Sequence, residues 1–223
     1  MIKKDIKKYN VCLTYGTFDM FHFGHLSILL RCKEKCNKLI VGVATDDYNK
    51  NKQKESIQSQ QQRFNFIKNL HFVDKVIYEH NFNIQWANDY KKYRAEAIFI
   101  GDDHKGELDY LIEDGINLIY LDRTKGISTS DIKKKIKQKN IFFLIQNKLD
   151  QTEELFQNIK KINLNKDNFL VLAINKKIET SFQLYQFWNS NKKIDFIFLF
   201  NNTQEVNQMK KRINLLKINN LIN

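Results

Sequence analysis

Apolar residues in this chain gather in short continuous runs, and amphipathic stretches separate the runs at regular intervals. Val11–Tyr15, Leu39–Ala44, Val73–Tyr78, Ala97–Ile100 and Leu118–Leu121 have the length and content of buried strands. Between them the spacing of apolar positions predicts helices over 25–36, roughly 58–70 and roughly 84–94, with a short one near 107–114. A further helix near 129–139 closes the series. Strands and helices that alternate at this length imply an α/β fold, a five-stranded parallel sheet with helices on both faces. On such a sheet ligands bind at the carboxyl ends of the strands, where the strand order reverses. Gly16, Gly101 and the loop around Gly126 fall at that edge.

The pattern continues to the end of the chain, but the chemistry does not. The remaining stretch predicts a helix (149–162), a strand (Phe169–Ile174), a helix (178–189), a strand (Ile194–Phe200) and a helix (203–217). All seven glycines lie between Gly16 and Gly126, all five histidines lie between His22 and His104, and after Asn140 there is no Gly, His, Cys or Pro. This shift divides the chain into a catalytic-looking domain, 1–140, and a small α/β extension, 141–223, suited to packing or association.

Composition narrows the class. Hydrophobic residues make up 42% of the 223, ordinary for a globular protein. No stretch reaches the ~20 apolar residues of a membrane span, and the charged start, Met1 to Lys8, lacks the apolar core of a signal peptide. Cys12, Cys32 and Cys36 do not suggest a disulfide framework, and no partner set completes a metal site with them, so reduced thiols in a cytoplasmic protein are expected. The net charge of +12 raises nucleic-acid binding. The lysines are spread along the chain, however, and the densest cluster (Lys133, Lys134, Lys135, Lys137 and Lys139) has no aromatic stacking pattern beside it. A solvated helix face that also draws in small anions is the better reading.

Candidate chemistry concentrates in four loops that follow strands. The first is Gly16-Thr17-Phe18-Asp19-Met20-Phe21-His22-Phe23-Gly24-His25. It sets two histidines around Phe-Gly at a strand-to-helix junction, where free N–H groups and a positive dipole attract phosphate and Gly24 lets a ligand approach the backbone. The second, Arg123-Thr124-Lys125-Gly126-Ile127-Ser128-Thr129-Ser130, offers a guanidinium suited to bidentate phosphate contact and hydroxyls at a helix start. There Ser128 or Thr129 can also cap the helix with support from Asp131. The third, Asp46 to Lys54, is expected as a mobile source of positive charge. In the fourth, Gly101 to Gly106, the carboxylates, Asp102 among them, suit a base, a ribose or a metal.

Together the G-T-F-D-x-x-H-x-G-H run, the K-x-K loop, the G-D-D segment and R-T-x-G-I-S-T resemble the cytidylyltransferase family, most closely its glycerol-3-phosphate cytidylyltransferase branch, over about residues 10–136. The resemblance implies a Rossmann-like nucleotidyltransferase fold, CTP as co-substrate with Mg²⁺, a small phosphorylated polyol as acceptor, and a homodimer. It assigns Thr17, Phe18, His22 and His25 to CTP, Lys52 to the acceptor phosphate and Lys54 to the CTP phosphates. Arg123, Thr124, Gly126, Ile127, Ser128, Thr129 and Ser130 match the loop that closes over the triphosphate, and Arg63 matches a family arginine position counted here with the nucleotide-binding residues. No protein metal ligand is assigned. One departure concerns the acceptor: where that branch carries a further lysine after the third strand, this chain has Trp86, with Lys91 and Lys92 a turn or more away. The expected reaction is CMP transfer from CTP to glycerol 3-phosphate. Ribitol or another sugar-alcohol phosphate, ethanolamine or choline phosphate, and a non-catalytic nucleotide-binding assembly module are the alternatives. The product's family role is as a donor for cell-surface polymers.

Overall fold

Five strands pair in parallel in the order β3-β2-β1-β4-β5: β1 (Tyr9–Gly16), β2 (Cys36–Ala44), β3 (Lys75–Glu79), β4 (Ala97–Gly101) and β5 (Leu118–Leu121). The computed structural model describes residues 8–122, 124, 128–138, 140–146, 168–175, 196–200 and 203–218. The described residues divide into two compact units, one drawn from 1–18 and 24–125, the other from 19–23 and 126–223. This division groups the helix at 129–138 with the C-terminal residues, whereas the composition break lies at 140.

In the first unit the strands are apolar because both faces are covered. Cys12, Leu13, Leu39, Val41, Val43, Ala97, Ile98 and Phe99 are all fully buried. The helices are α1 (Phe23–Lys35), α2 (Asp46–Asn51), α3 (Gln60–Lys68), α4 (Phe82–Lys92) and α5 (Tyr110–Glu113). Trp86 of α4 and Leu108 and Leu111 near α5 pack with Leu13, Ile40, Ile98 and Ile100 into one core cluster. The order reverses between β1 and β4, so the crevice that parallel sheets use for ligands lies beyond Gly16 and Gly101.

The expected strands and helices of this unit are all present with bounds shifted by a few residues, and two differences bear on the site. β3 runs to Glu79 rather than stopping at Tyr78, which carries a carboxylate to the ligand-binding edge. The segment from Asp46 is not a loop throughout. Thr45 caps it by accepting from the Tyr48 N–H, Asp46 and Asp47 favour its N-terminus, and six residues form α2.

The second unit has helix α6 (Thr129–Gln138) and a three-stranded parallel sheet, β6 (Asn140–Gln146), β7 (Asn168–Asn175) and β8 (Phe196–Phe200) in that order. Helix α7 (Thr203–Ile218) packs against α6 and β8 through buried Val206, Met209 and Ile213. β6 was not expected. Its apolar run, Ile141 to Ile145, follows α6 after Lys139 and lies on the composition break itself. The helices expected at 149–162 and 178–189 lie outside the described residues. Among the described residues no helix is long and apolar enough to cross a membrane. All three cysteines are free thiols and buried.

Candidate active site

The loop after β1 is held in a conformation that ordinary residues avoid. Phe18 has φ 53° and Met20 φ 47°, left-handed values that cost about 1–3 kcal/mol each in a non-glycine residue. In the first unit, Phe18 tucks its buried ring over Gly16, where a Cβ would stand 3.0 Å from the ring edge. The same ring meets His25, in the first turn of α1, edge-on at 5.5 Å between centroids. Gly24 is in the same turn. The loop is therefore anchored by an aromatic plug.

Arg63 supplies most of the remaining anchorage. Its guanidinium is fully buried and donates from Nε to the Gln58 carbonyl (3.1 Å) and from Nη1 to the carbonyls of Thr17 (2.8 Å) and Ala44 (2.7 Å). Nη2 pairs with Asp46 Oδ1 at 2.6 Å. One side chain thus ties the loop after β1 to the end of β2 and the start of α2. Four of its five N–H donors thus serve the protein's own carbonyls and Asp46, which gives Arg63 a positioning role beside the nucleotide role expected for it.

Thr17 also bonds sideways. Its hydroxyl donates to Asn49 Oδ1 (3.0 Å), and Asn49 Nδ2 donates to Ser56 (3.0 Å). The Asn49 carbonyl accepts from the backbone N–H groups of Lys52 (3.1 Å) and Lys54 (2.9 Å), with Gln53 between them at φ 55°. The K-x-K segment is thereby folded back on the end of α2, and both lysines are exposed. The Lys52 ammonium sits over the Tyr48 ring at 4.0 Å. Partial desolvation pulls the Lys52 pKa below its usual value, and the charge of Glu79 opposes that fall.

Glu79 is a functional candidate that the sequence did not reveal. It is buried at the carboxyl end of β3, opposite Ala44 of β2, and its backbone carbonyl accepts from Thr45. Trp86 Nε1 donates to Glu79 Oε1 at 3.0 Å. Burial pushes the carboxyl pKa up to about 7, against the lowering pull of Lys52, the Trp86 hydrogen bond, His104 and Lys54. Trp86 in turn stacks on Tyr15 at 4.4 Å between centroids. The Tyr15 hydroxyl donates to Asp89 (3.1 Å), as does Gln85 (3.1 Å), and burial with the Asp89 charge raises the Tyr15 pKa. So where the resemblance expects a lysine, this chain has a buried indole whose donor faces a carboxylate. Asp102 opens the single 3₁₀ turn after β4 and is exposed; His104, in the same turn, contacts Glu107 at 3.0 Å.

The second unit carries the other candidates. His22 is buried, with Nε2 3.4 Å from the Thr129 hydroxyl, which also lies 3.4 Å from the Asp19 carbonyl. The buried Asp19 carboxylate faces Lys133 at 3.7 Å. Ser128 is the cap of α6: its hydroxyl accepts from the Asp131 N–H (3.1 Å) and donates to the Asp131 carboxylate (2.6 Å). Ser130 is exposed. Thr124 of the first unit is half-buried, whereas Arg123, Gly126 and Ile127 lie outside the described residues. Among the described residues no three His, Cys, Asp or Glu side chains come together to hold a metal.

The comparisons with known proteins agree with this chemistry. A family model described as cytidylyltransferase-like matches residues 13–135, which ends before β6. Glycerol-3-phosphate cytidylyltransferase of Bacillus spizizenii is 45% identical over 122 residues, 55% of this chain and 93% of that protein. Proteins of the same name from Bacillus subtilis and Staphylococcus aureus are 39% identical over 124 residues, 56% of this chain and 95% and 92% of theirs. With more than half of its length matched by the family and three relatives covered nearly end to end, the chain belongs to the cytidylyltransferase-like family.

Proposed function

We propose that the protein transfers CMP from CTP to glycerol 3-phosphate, releasing pyrophosphate and forming CDP-glycerol. The observation that carries this is the 45% identity to a glycerol-3-phosphate cytidylyltransferase of which the chain covers 93%. An oxygen of the acceptor phosphate attacks the α-phosphorus. The bond from that phosphorus to the bridging oxygen breaks, and the electron pair leaves with pyrophosphate. The acceptor is already an anion, so no strong base is needed; the demand is for positioning and for neutralising charge on the phosphates. His22, His25, Lys54 and Arg123 take the phosphate charge, while Lys52 aligns the acceptor. The hydroxyls and N–H groups from Thr124 to Ser130 complete the triphosphate contacts. Arg63 and Asn49 act by holding the Thr17 and lysine segments. Mg²⁺, when bound to CTP, supplies further charge neutralisation. The reading includes a cytoplasmic homodimer, checked by mass in solution.

The test is pyrophosphate release with CTP or ATP across glycerol, ribitol, ethanolamine and choline phosphates. CTP with glycerol 3-phosphate should give the highest kcat/KM. Release with ATP alone, or a higher kcat/KM with another acceptor, would overturn the assignment.

A further inference from the structure

We propose that Glu79 is a specificity-determining residue of the acceptor side, its carboxylate accepting hydrogen bonds from the hydroxyl groups of the phosphorylated polyol. This rests on the reaction proposed above and adds to it the group that reads the acceptor's carbon chain. Three observations support it. Glu79 ends β3 at the carboxyl edge of the sheet, next to the segment after β2 that bears Lys52. It is 3% exposed, and among the described residues its side chain accepts one hydrogen bond, from Trp86 Nε1 to Oε1. A carboxylate has capacity for about four such contacts. Finally, the groups that bear on its charge come from three different segments: the ammonium groups of Lys52 and Lys54 after α2, the His104 imidazole after β4, and the Trp86 donor of α4. A carboxylate among cations at a phosphate site repels the phosphate unless it serves another part of the ligand. A hydroxyl donor on the acceptor is that part.

Trp86 is then a positioning residue. Its ring is fixed by the stack on Tyr15, which is itself held through Asp89. Its donor fixes Glu79 and stabilises the ionised form. The chain thus presents to Glu79 a neutral donor at the position where the resemblance expects a lysine.

The experiment compares glycerol 3-phosphate with propyl phosphate, which carries the same phosphate and no hydroxyl, as acceptors for wild type, Glu79→Gln and Trp86→Phe with CTP. The ratio of the two kcat/KM values, each referred to the dianion fraction of its own phosphate, cancels titration of Lys52. In the wild type this ratio should rise with pH through about 7 as Glu79 ionises. Glu79→Gln, which replaces a charged acceptor with a neutral one, should lower the ratio about tenfold and make it independent of pH, with KM for CTP within twofold. Trp86→Phe should move the rise to higher pH, an effect that a merely structural indole would not produce. A flat ratio in the wild type, or an unchanged ratio in Glu79→Gln, overturns the role of Glu79 while leaving the reaction standing. If the wild type releases no pyrophosphate from CTP with glycerol 3-phosphate, the reaction and the role fall together.

Discussion

Replacing Arg63 by methionine separates a residue that holds the site from one that touches nucleotide. The guanidinium is fully buried and serves the carbonyls of Gln58, Thr17 and Ala44 and the Asp46 carboxylate, at 3.1, 2.8, 2.7 and 2.6 Å. Methionine fills similar volume, so the cavity term is small and the loss is polar. Three backbone acceptors lose a charged donor, each worth about 1.5–3 kcal/mol when the partner is ionised. Asp46 is 37% exposed and can rehydrate, which limits its share. The sum exceeds what a relaxing site will show, and breaking a buried pair from one side typically costs about 3–5 kcal/mol. We expect that range for Arg63→Met in urea unfolding without nucleotide, with an unchanged m-value. Arg63→Lys should recover only part of it, because an ammonium has three donors and no fork to span four acceptors. The reasoning is refuted if Arg63→Met unfolds within about 1 kcal/mol of wild type while its CTP affinity falls, for then the main partner of Arg63 is the nucleotide.

Three further outcomes are expected. Glu79 has its pKa raised from 4.5 to about 7, so the folded state binds the proton more tightly; the stabilisation from that proton is complete below about 4.5 and is lost as pH rises through 7. Glu79→Gln mimics the protonated form, so it should match wild type near pH 4.5 and exceed it at pH 8 by at most about 3 kcal/mol in chemical denaturation, and a gap independent of pH would contradict this. Gly42→Ala places a methyl group inside the Tyr15 ring, so Tyr15 must leave its stack on Trp86; a loss of about 1–3 kcal/mol and altered near-UV circular dichroism should follow, and wild-type values for both would show that the ring adapts freely. His22→Ala and His25→Ala should each lower kcat about 10²–10³-fold with the far-UV spectrum retained, and near-normal turnover in either would remove that histidine from the phosphate site.

The sheet was legible because its information is redundant. β1, β2 and β4 carry runs of fully buried apolar residues and β3 and β5 are short half-buried runs, so shifting one boundary, as at Glu79, leaves the element standing. β6 has an equally apolar run, but it begins at Asn140, where the change in composition marks a domain boundary in the sequence and hides the start of a strand. α2 escaped for another reason. Its six residues, Asp46 to Asn51, include Tyr48 as their only apolar member, so no periodicity exists to read, and a capping threonine with first-turn carboxylates decides it.

Side-chain roles are less redundant still, and here the arrangement in space decides. Arg63 and Glu79 illustrate two things that sequence leaves open about a charged residue near a phosphate motif. An arginine at a matching position looks like a ligand for nucleotide, but arginine presents five donors, and a strained loop flanked by strand ends presents carbonyls that need them. The left-handed Phe18 makes the Thr17 carbonyl such an orphan, and Arg63 answers it. A lone glutamate at a strand end looks like a solvated terminus. Yet position 79 is the last residue of β3, and Trp86 lies seven residues on, within α4, so that the chain's first turn of helix and a half brings the indole back over the strand end. Where the family resemblance expects a lysine, this chain sets the neutral donor of Trp86 against a buried carboxylate. Under the role proposed for Glu79, acceptor preference should therefore change with pH through about 7.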